Sequence, residues 1–256
     1  MTDTPVGEQY VKLERDGNVA ILTIDDPARR NALPLEVIEQ IKAAIAEVAN
    51  DPEIGALVVT ATPPVFCSGG SVDDLLNPRA PLRHMYGGFE SIANCPLPTV
   101  AAVNGPAVGA GVSVALACDV VLCSPEARFD PRFHDVGIHP GGGTFFKLQR
   151  LVGPQATAAM VLFGEAPQGE EAVRVGLAWK CLPADELLPA AIAMARRAAD
   201  RPRELTRRAK QTHVDSQSMG TADEALQYEL EAQQWSMEQP VFKENLEKIR
   251  ARLGRA

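Results

Sequence analysis

The chain has no excess of basic residues. Its 256 residues carry 25 Lys and Arg against 33 Asp and Glu, a formal net charge of −8. That balance excludes the broad positive footprint with which proteins hold nucleic acid, so no nucleic-acid partner is expected. A polyanionic ligand would need local positive charge against this background. No apolar run is long enough to span a bilayer, and no membrane insertion is expected. The leading MTDTPVGEQY has neither the basic flank nor the apolar stretch of a secretory signal. A CxxC pair is missing too. The five cysteines are Cys67, Cys95, Cys118, Cys123 and Cys181. Their number is odd and two lie in apolar segments, which reads as buried free thiols rather than disulfides or metal ligands. A cytoplasmic location is the expectation. No metal-ligand cluster, nucleotide motif or sharp internal repeat is visible, so neither a metal nor a separate cofactor is expected.

What is present is an ordinary globular composition, 46% hydrophobic and 23% charged, on a chain long enough for one large domain plus an appendage. The organising stretch is Asn104 to Gly143, NGPAVGAGVSVALACDVVLCSPEARFDPRFHDVGIHPGGG. A glycine-broken loop from Gly105 to Gly111 is expected to run into an apolar helix, Val112 to Cys118, followed by a strand, Val120 to Cys123. Glycine before a helix lets a ligand approach the backbone, where first-turn N–H groups have no partner. A second such junction, FCSGGSVDDL from Phe66 to Leu75, follows the β run Ala56–Thr60. Two strand–glycine–helix junctions can aim two N–H groups at one carbonyl oxygen.

These two motifs and an early DPARRNAL, in that order and spacing, are similar to the signatures of the enoyl-CoA hydratase/isomerase (crotonase) superfamily. The resemblance covers nearly the whole chain. It implies an α/β fold, a spiral of repeated ββα units with a C-terminal helical segment. Residues 1–200 would form the acyl-CoA-binding core. Residues 201–256, with a soft boundary near Arg201-Pro-Arg203, would form a helical segment that makes a homotrimer or a dimer of trimers. The ligand would be an acyl-CoA thioester, so coenzyme A arrives as part of the substrate.

The resemblance also implies site residues. Backbone N–H groups of Gly70 and Ala110 would form an oxyanion hole for the thioester carbonyl. The substrate would be lined by Arg29, Arg30 and Ala32 at the adenine and phosphate end, then by Ser68, Ser71 and Val72. Ser113, Arg132, Phe133 and Gly141 would complete the lining. The pair Arg29 and Arg30 can equally be solvated loop charges. Hydratases of the family use two glutamates, and the aligned positions here are Ser113 and Phe133. Neither can act as a carboxylate, which puts ordinary hydration of a trans-2-enoyl-CoA in doubt, because attacking water needs a base. Asp130, His134, Asp135 and His139 lie in or beside the second position. His139 and Asp130 are the candidates for direct catalysis, His139 because an imidazole titrates near neutral pH. The plain alternatives are a hydrogen-bonded loop histidine and a capping aspartate. Asp73 and Asp74 read as first-turn helix residues.

Three readings follow: an enzyme of this superfamily with non-standard acid/base residues, a non-catalytic acyl-CoA carrier or sensor, and a thioester hydrolase with Ser113 as nucleophile. Phe129, Phe133, Phe145 and Phe146 can line an acyl channel or belong to the core. The basic stretch Arg201–Lys210 can touch coenzyme A phosphates or be a solvated helix face. Between these motifs, residues 77–88 read as a lid or surface loop, Leu177–Leu182 as a strand, and Thr144–Val152 and Pro154–Gly164 as separate helices.

Overall fold

A computed structural model describes residues 8–253. The first seven residues, with most of the supposed signal-free leader, and the last three lie outside it. The strands are β1 (Val11–Asp16), β2 (Val19–Ile24), β3 (Ala56–Ala61), β4 (Thr99–Val103), β5 (Ala107–Val108), β6 (Val120–Cys123), β7 (Phe129–Asp130) and β8 (Lys180–Cys181). The helices are α1 (Leu35–Asn50), α2 (Val72–Leu76), α3 (Leu82–Met85), α4 (Gly87–Ala93), α5 (Ala110–Ala115) and α6 (Thr144–Phe163). They continue with α7 (Glu170–Val175), α8 (Ala184–Ala199), α9 (Arg203–Ser216), α10 (Ala222–Glu238) and α11 (Pro240–Leu253). None is long and apolar enough to cross a membrane, among the described residues.

The main sheet has the order β1-β2-β3-β4-β6-β8, antiparallel between β1 and β2 and parallel elsewhere. Its central strands read as unbroken apolar runs because both faces are covered. Leu57, Val59, Ala101 and Val103 face the core built on Val37, Ile38, Ile41 and Ile45 of α1. Their neighbours Ala56, Val58, Val100 and Ala102 face Leu187, Ala191 and Ala195 of α8.

A second, smaller layer explains the repeat that the sequence hides. Leu33 pairs with Gly70, Cys67 with Ala107, and β5 with β7, all in parallel. Each turn of the chain therefore lays one strand in the main sheet, then a short segment in the small layer, then a helix. This is the spiral of ββα units expected. The small-layer segments are only two to a few residues long, and the helices that follow run from 5 residues in α2 to 16 in α1. No fixed sequence period survives that variation.

Several local expectations are corrected. The helix after the glycine loop begins at Ala110 and ends at Ala115, because Gly109 takes the cap position with φ 52° and Gly111 falls inside it. Residues 77–88 are not a plain loop: they contain α3 and the start of α4. Leu177–Leu182 shortens to the two residues of β8, and β1, β5 and β7 are additional strands. By contrast, α6 is two helices meeting at Gly153, whose φ of 75° and ψ of 172° are not helical, as the separate segments Thr144–Val152 and Pro154–Gly164 expected.

The C-terminal helices bury little. Among the described residues α10 and α11 bury none, and α9 buries only Lys210. The Lys210 ammonium donates to the Leu97 carbonyl at 2.7 Å and pairs with Asp119 at 2.9 Å. Asp119 also accepts from the Thr99 N–H and hydroxyl, and its own N–H donates to that hydroxyl. One ammonium thus fastens α9 to the starts of β4 and β6. Replacing one member of such a pair strands the other. Lys210→Ala is expected to lower stability by about 3 kcal/mol, read as a lower midpoint in urea unfolding followed by circular dichroism.

Candidate active site

The site is built from three backbone turns at the ends of β2, β3 and β4. In the first, Asp26 caps a short 3-10 turn and its carboxylate accepts from the Arg29 Nε at 2.5 Å. Arg30 and Asn31 then both adopt left-handed backbone, with φ 55° and 53°. Two successive non-glycine residues there are costly and need outside support. Asn31 provides it. Its buried amide accepts from the Asp26 N–H at 2.8 Å and donates to the Thr62 and Val65 carbonyls at 2.8 and 2.6 Å. The first turn is thereby tied to the second. Two backbone bonds add to the tie: Ser68 N–H to the Arg30 carbonyl, and Leu33 N–H to the Gly69 carbonyl.

The second and third turns meet through glycine. Gly69 has φ 94°, and a methyl group on it would lie 2.7 Å from the Val108 carbonyl oxygen and 3.3 Å from the Ala110 nitrogen. A methyl group on Gly111 would lie 2.3 Å from the Cys67 carbonyl oxygen. Any side chain at these positions would push the turns apart. The Gly109 N–H donates to the Asp130 carbonyl at 2.9 Å. Ala110 opens α5, so its own N–H has no intrahelical acceptor. The turn that holds Gly69 and Gly70 thus lies against the turn that opens α5 at Ala110.

The side chains around this point divide sharply. Arg29 is engaged: it pairs with Asp26 and Glu36 and stacks over Tyr10. Arg30 is exposed and makes no ion pair among the described residues. Ala32 sits half-buried between them and α1. Ser71 caps α2, accepting from the Asp74 N–H, and Val72 is 68% exposed. Asp74 does not serve its own helix alone. Its carboxylate accepts the Leu35 N–H at the start of α1 at 2.9 Å and the Arg79 Nε at 2.5 Å. The Arg79 guanidinium holds the Asp74 carboxyl below the usual carboxylate range.

Asp130 is buried in β7, extended as the following Pro131 demands. Its carboxylate is taken by Arg132 Nε at 2.9 Å and Arg128 Nη2 at 3.2 Å. It caps no turn; its lone pairs face two guanidiniums, and its carbonyl fixes the Gly109 turn. Arg132 is correspondingly engaged, and its guanidinium is pushed up by that hydrogen bond. Phe133 precedes a single 3-10 turn, His134–Val136. Ser113 is buried in α5. No histidine hydrogen-bonds to it among the described residues: His84 meets Glu39, His139 meets the Pro140 carbonyl and His213 meets Gln217. The Ser–His pair that hydrolysis requires is not assembled.

His139 is exposed, its Nδ1 2.8 Å from the Pro140 carbonyl and its ring 6.0 Å from Phe145. A carbonyl only accepts, so Nδ1 carries the proton and Nε2 of the neutral ring holds the free lone pair. Gly141 and Gly142 beyond it lie against α4. Methyl groups there would sit 2.4 Å from the Tyr86 hydroxyl and 2.6 Å from the Phe89 ring. Tyr86, Arg79 and the turn-holding role of Asn31 are features beside these turns that motif reading does not give. Asn31 alone had a signal, as a residue type that tolerates left-handed backbone.

A spiral of parallel strands that gathers paired glycine turns at the strand ends defines the class. Residues 14–250 match the sequence model of the enoyl-CoA hydratase/isomerase family. The chain belongs to that family. A Mycobacterium tuberculosis protein named "Probable enoyl-CoA hydratase" is 43% identical over 244 residues, 91% of this chain and 94% of its own length. The short-chain-enoyl-CoA hydratase of Clostridium acetobutylicum is 30% identical over 228 residues, covering 87% of each. Among solved structures, an enoyl-CoA hydratase from Polaromonas sp. JS666 superposes with a TM-score of 0.86 at 30% identity, over 96% of this chain and 97% of that one. The enoyl-CoA hydratase of Bacillus anthracis shares the fold at a TM-score of 0.89 and 22% identity, over 95% and 97%.

The Asp74 junction gives a pH prediction. Its folded value lies below the ordinary 3.8, so its stabilisation is complete above that value and is lost as pH falls through the lowered one. Unfolding of the parent and of Asp74→Asn, compared from pH 7 down to pH 2, should show a stability gap that is constant near neutrality and closes at the acid end.

Proposed function

We propose that this chain acts on an acyl-CoA thioester, through an enolate whose oxygen is held by the backbone N–H groups of Gly70 and Ala110. The observation that carries the reading is the contact of the Gly69 and Val108–Ala110 turns, enforced by glycines that admit no side chain. Donors fixed by the fold need no reorganisation when charge develops, and losing one costs roughly 2.7–4 kcal/mol of barrier in other enzymes. Arg30, exposed and unpaired beside Ala32, is the cation for the coenzyme A phosphates; Arg29 shapes the loop that presents it. Ser68, Ser71, Val72, Ser113, Arg132, Phe133 and Gly141 line the thioester and acyl end.

The acid/base groups are non-standard. Ser113 and Phe133 stand where family hydratases carry glutamates. His139 is the general base, with Nε2 as its basic atom. Asp130 acts through position, fixing Gly109 and hence Ala110, because two guanidiniums occupy its carboxylate. The helical segment 201–256 makes the oligomer, a homotrimer or a dimer of trimers, with exposed Leu226, Leu230, Ile249 and Leu253 as its apolar contacts. The free thiols fit a cytoplasmic enzyme.

The test is calorimetric titration with crotonyl-CoA and a long-chain trans-2-enoyl-CoA, run beside a hydration assay on both. Micromolar binding with turnover is expected. Binding without turnover would replace the enzyme by a carrier or sensor, and absence of both would end the acyl-CoA reading. Arg30→Ala should weaken coenzyme A ester binding roughly tenfold, the scale of one charge-assisted hydrogen bond. Arg29→Ala should instead lower the melting temperature.

A further inference from the structure

Tyr86 lies between α3 and α4, outside every motif described above. Its ring packs on Phe89 with centroids 5.6 Å apart, and its hydroxyl points at Gly141, where a methyl group would come within 2.4 Å of the oxygen. The hydroxyl has no hydrogen-bond partner among the described residues, yet it is not among the enclosed, orphaned polar atoms. It is therefore an uncommitted donor that reaches open space. Its placement along the fold is fixed by the other ends of two helices. The Lys210 ammonium touches both the Leu97 carbonyl, just past α4, and the Asp119 carboxylate, just past α5. The two helices pack against each other and their C-terminal ends converge there. Their N-terminal ends, at Tyr86 and Ala110, consequently both face the opposite side. The chain brings a free phenol, the Gly141 loop with His139, and the Ala110 turn to the same end of one helix pair.

We infer that Tyr86 is a further catalytic residue, the proton donor to the α carbon of the acyl group. The inference rests on the acyl-CoA reading above. In hydration of an enoyl thioester, water adds its oxygen to the β carbon and gives a proton to His139 Nε2. The π pair of the alkene moves into the enolate. The enolate pair then forms a C–H bond at the α carbon with the proton of the Tyr86 O–H. The phenolate left behind recovers a proton from the imidazolium, so both groups return to their starting states. One phenol and one imidazole would share the work that two carboxylates do elsewhere in the family.

The experiment compares the full-length parent, Tyr86→Phe, Gly141→Ala and the double variant, with kcat, KM and calorimetric Kd measured on crotonyl-CoA and a long-chain trans-2-enoyl-CoA. Tyr86→Phe keeps the ring against Phe89, and its kcat should fall by roughly a hundredfold with Kd little changed, the scale of a lost general acid. Gly141→Ala should lower kcat comparably by displacing the hydroxyl, and should add little on top of Tyr86→Phe, whose ring leaves room for the methyl. Full kcat in Tyr86→Phe, or losses that multiply independently in the double variant, would overturn the assignment. Intact binding with no turnover by the parent would also overturn it while leaving acyl-CoA binding in place. No binding by the parent would overturn the underlying reading and this role with it.

Discussion

Everything at the centre of this molecule depends on how closely three backbone turns can approach. Gly69, Gly105 and Gly111 each face a neighbouring backbone carbonyl at a distance no Cβ would tolerate: 2.7 Å from Val108, 2.3 Å from Pro64 and 2.3 Å from Cys67. Removing those side chains lets the turns touch, and touching turns share hydrogen bonds. The Val108 N–H reaches the Cys67 carbonyl at 2.8 Å, and the Gly109 N–H reaches Asp130. Once these donors are used, the next N–H in that turn, at Ala110, is left over, and the proposed function pairs it with that of Gly70. A donor pair of this kind would be a by-product of packing, and as rigid as the packing.

Electrostatics follows the same logic of saturation. The chain is acidic overall, yet the carboxylates near the turns are nearly all occupied. Asp26 holds Arg29, Asp74 and Glu36 hold Arg79, and Asp130 holds Arg128 and Arg132. Three of those four carboxylates also govern backbone: Asp26 caps its 3-10 turn, Asp74 binds the first N–H of α1, and Asp130 neighbours the carbonyl that fixes Gly109. Charges spent on geometry are poor bases, because a guanidinium must be displaced before a proton can be taken. Arg30 escapes this pattern. Its neighbour Asn31 holds the left-handed turn by neutral hydrogen bonds, which leaves the guanidinium free in an otherwise neutralised surface.

The legible part of the fold was the part written in long apolar runs. Val19–Ile24, Ala56–Ala61, Thr99–Val103 and Val120–Cys123 are buried on both faces and could hardly read otherwise. The small layer escaped because its segments are held by single backbone pairs such as Leu33 with Gly70, which leave no side-chain alternation. The paired glycine junctions were readable since their chemistry is carried by backbone and only glycine fits. Side-chain roles were less so. Asp130 looked like a capping residue or a base, and whether Arg128 and Arg132 fold back onto it is a matter of rotamers. Arg29 and Arg30 are adjacent and alike in sequence; one φ of 55° turns the second away from the carboxylates that hold the first. Tyr86 fell in a stretch rich in proline and glycine that resembled a loop.

On the proposed reading, Ser113 and Phe133 in place of the two family glutamates have a physical consequence beyond lost acid/base groups. A glutamate at the Ser113 position would place a carboxylate inside α5, in a helix otherwise buried along Gly111, Val112, Val114 and Ala115. Keeping it ionised there would require compensating donors. Serine removes that demand, and phenylalanine at position 133 removes the second charge from the facing segment. On that reading these two positions add no carboxylate beside the Gly70 and Ala110 turns, and the nearby Asp130 carboxylate is held by Arg128 and Arg132. The proposed enolate would then be held by Gly70 and Ala110 with less opposition. The proposed phenol and exposed imidazole would also transfer protons less readily than a poised carboxylic acid. On the proposed mechanism the burden of catalysis therefore shifts from proton transfer onto the backbone donors that the glycine contacts hold in place.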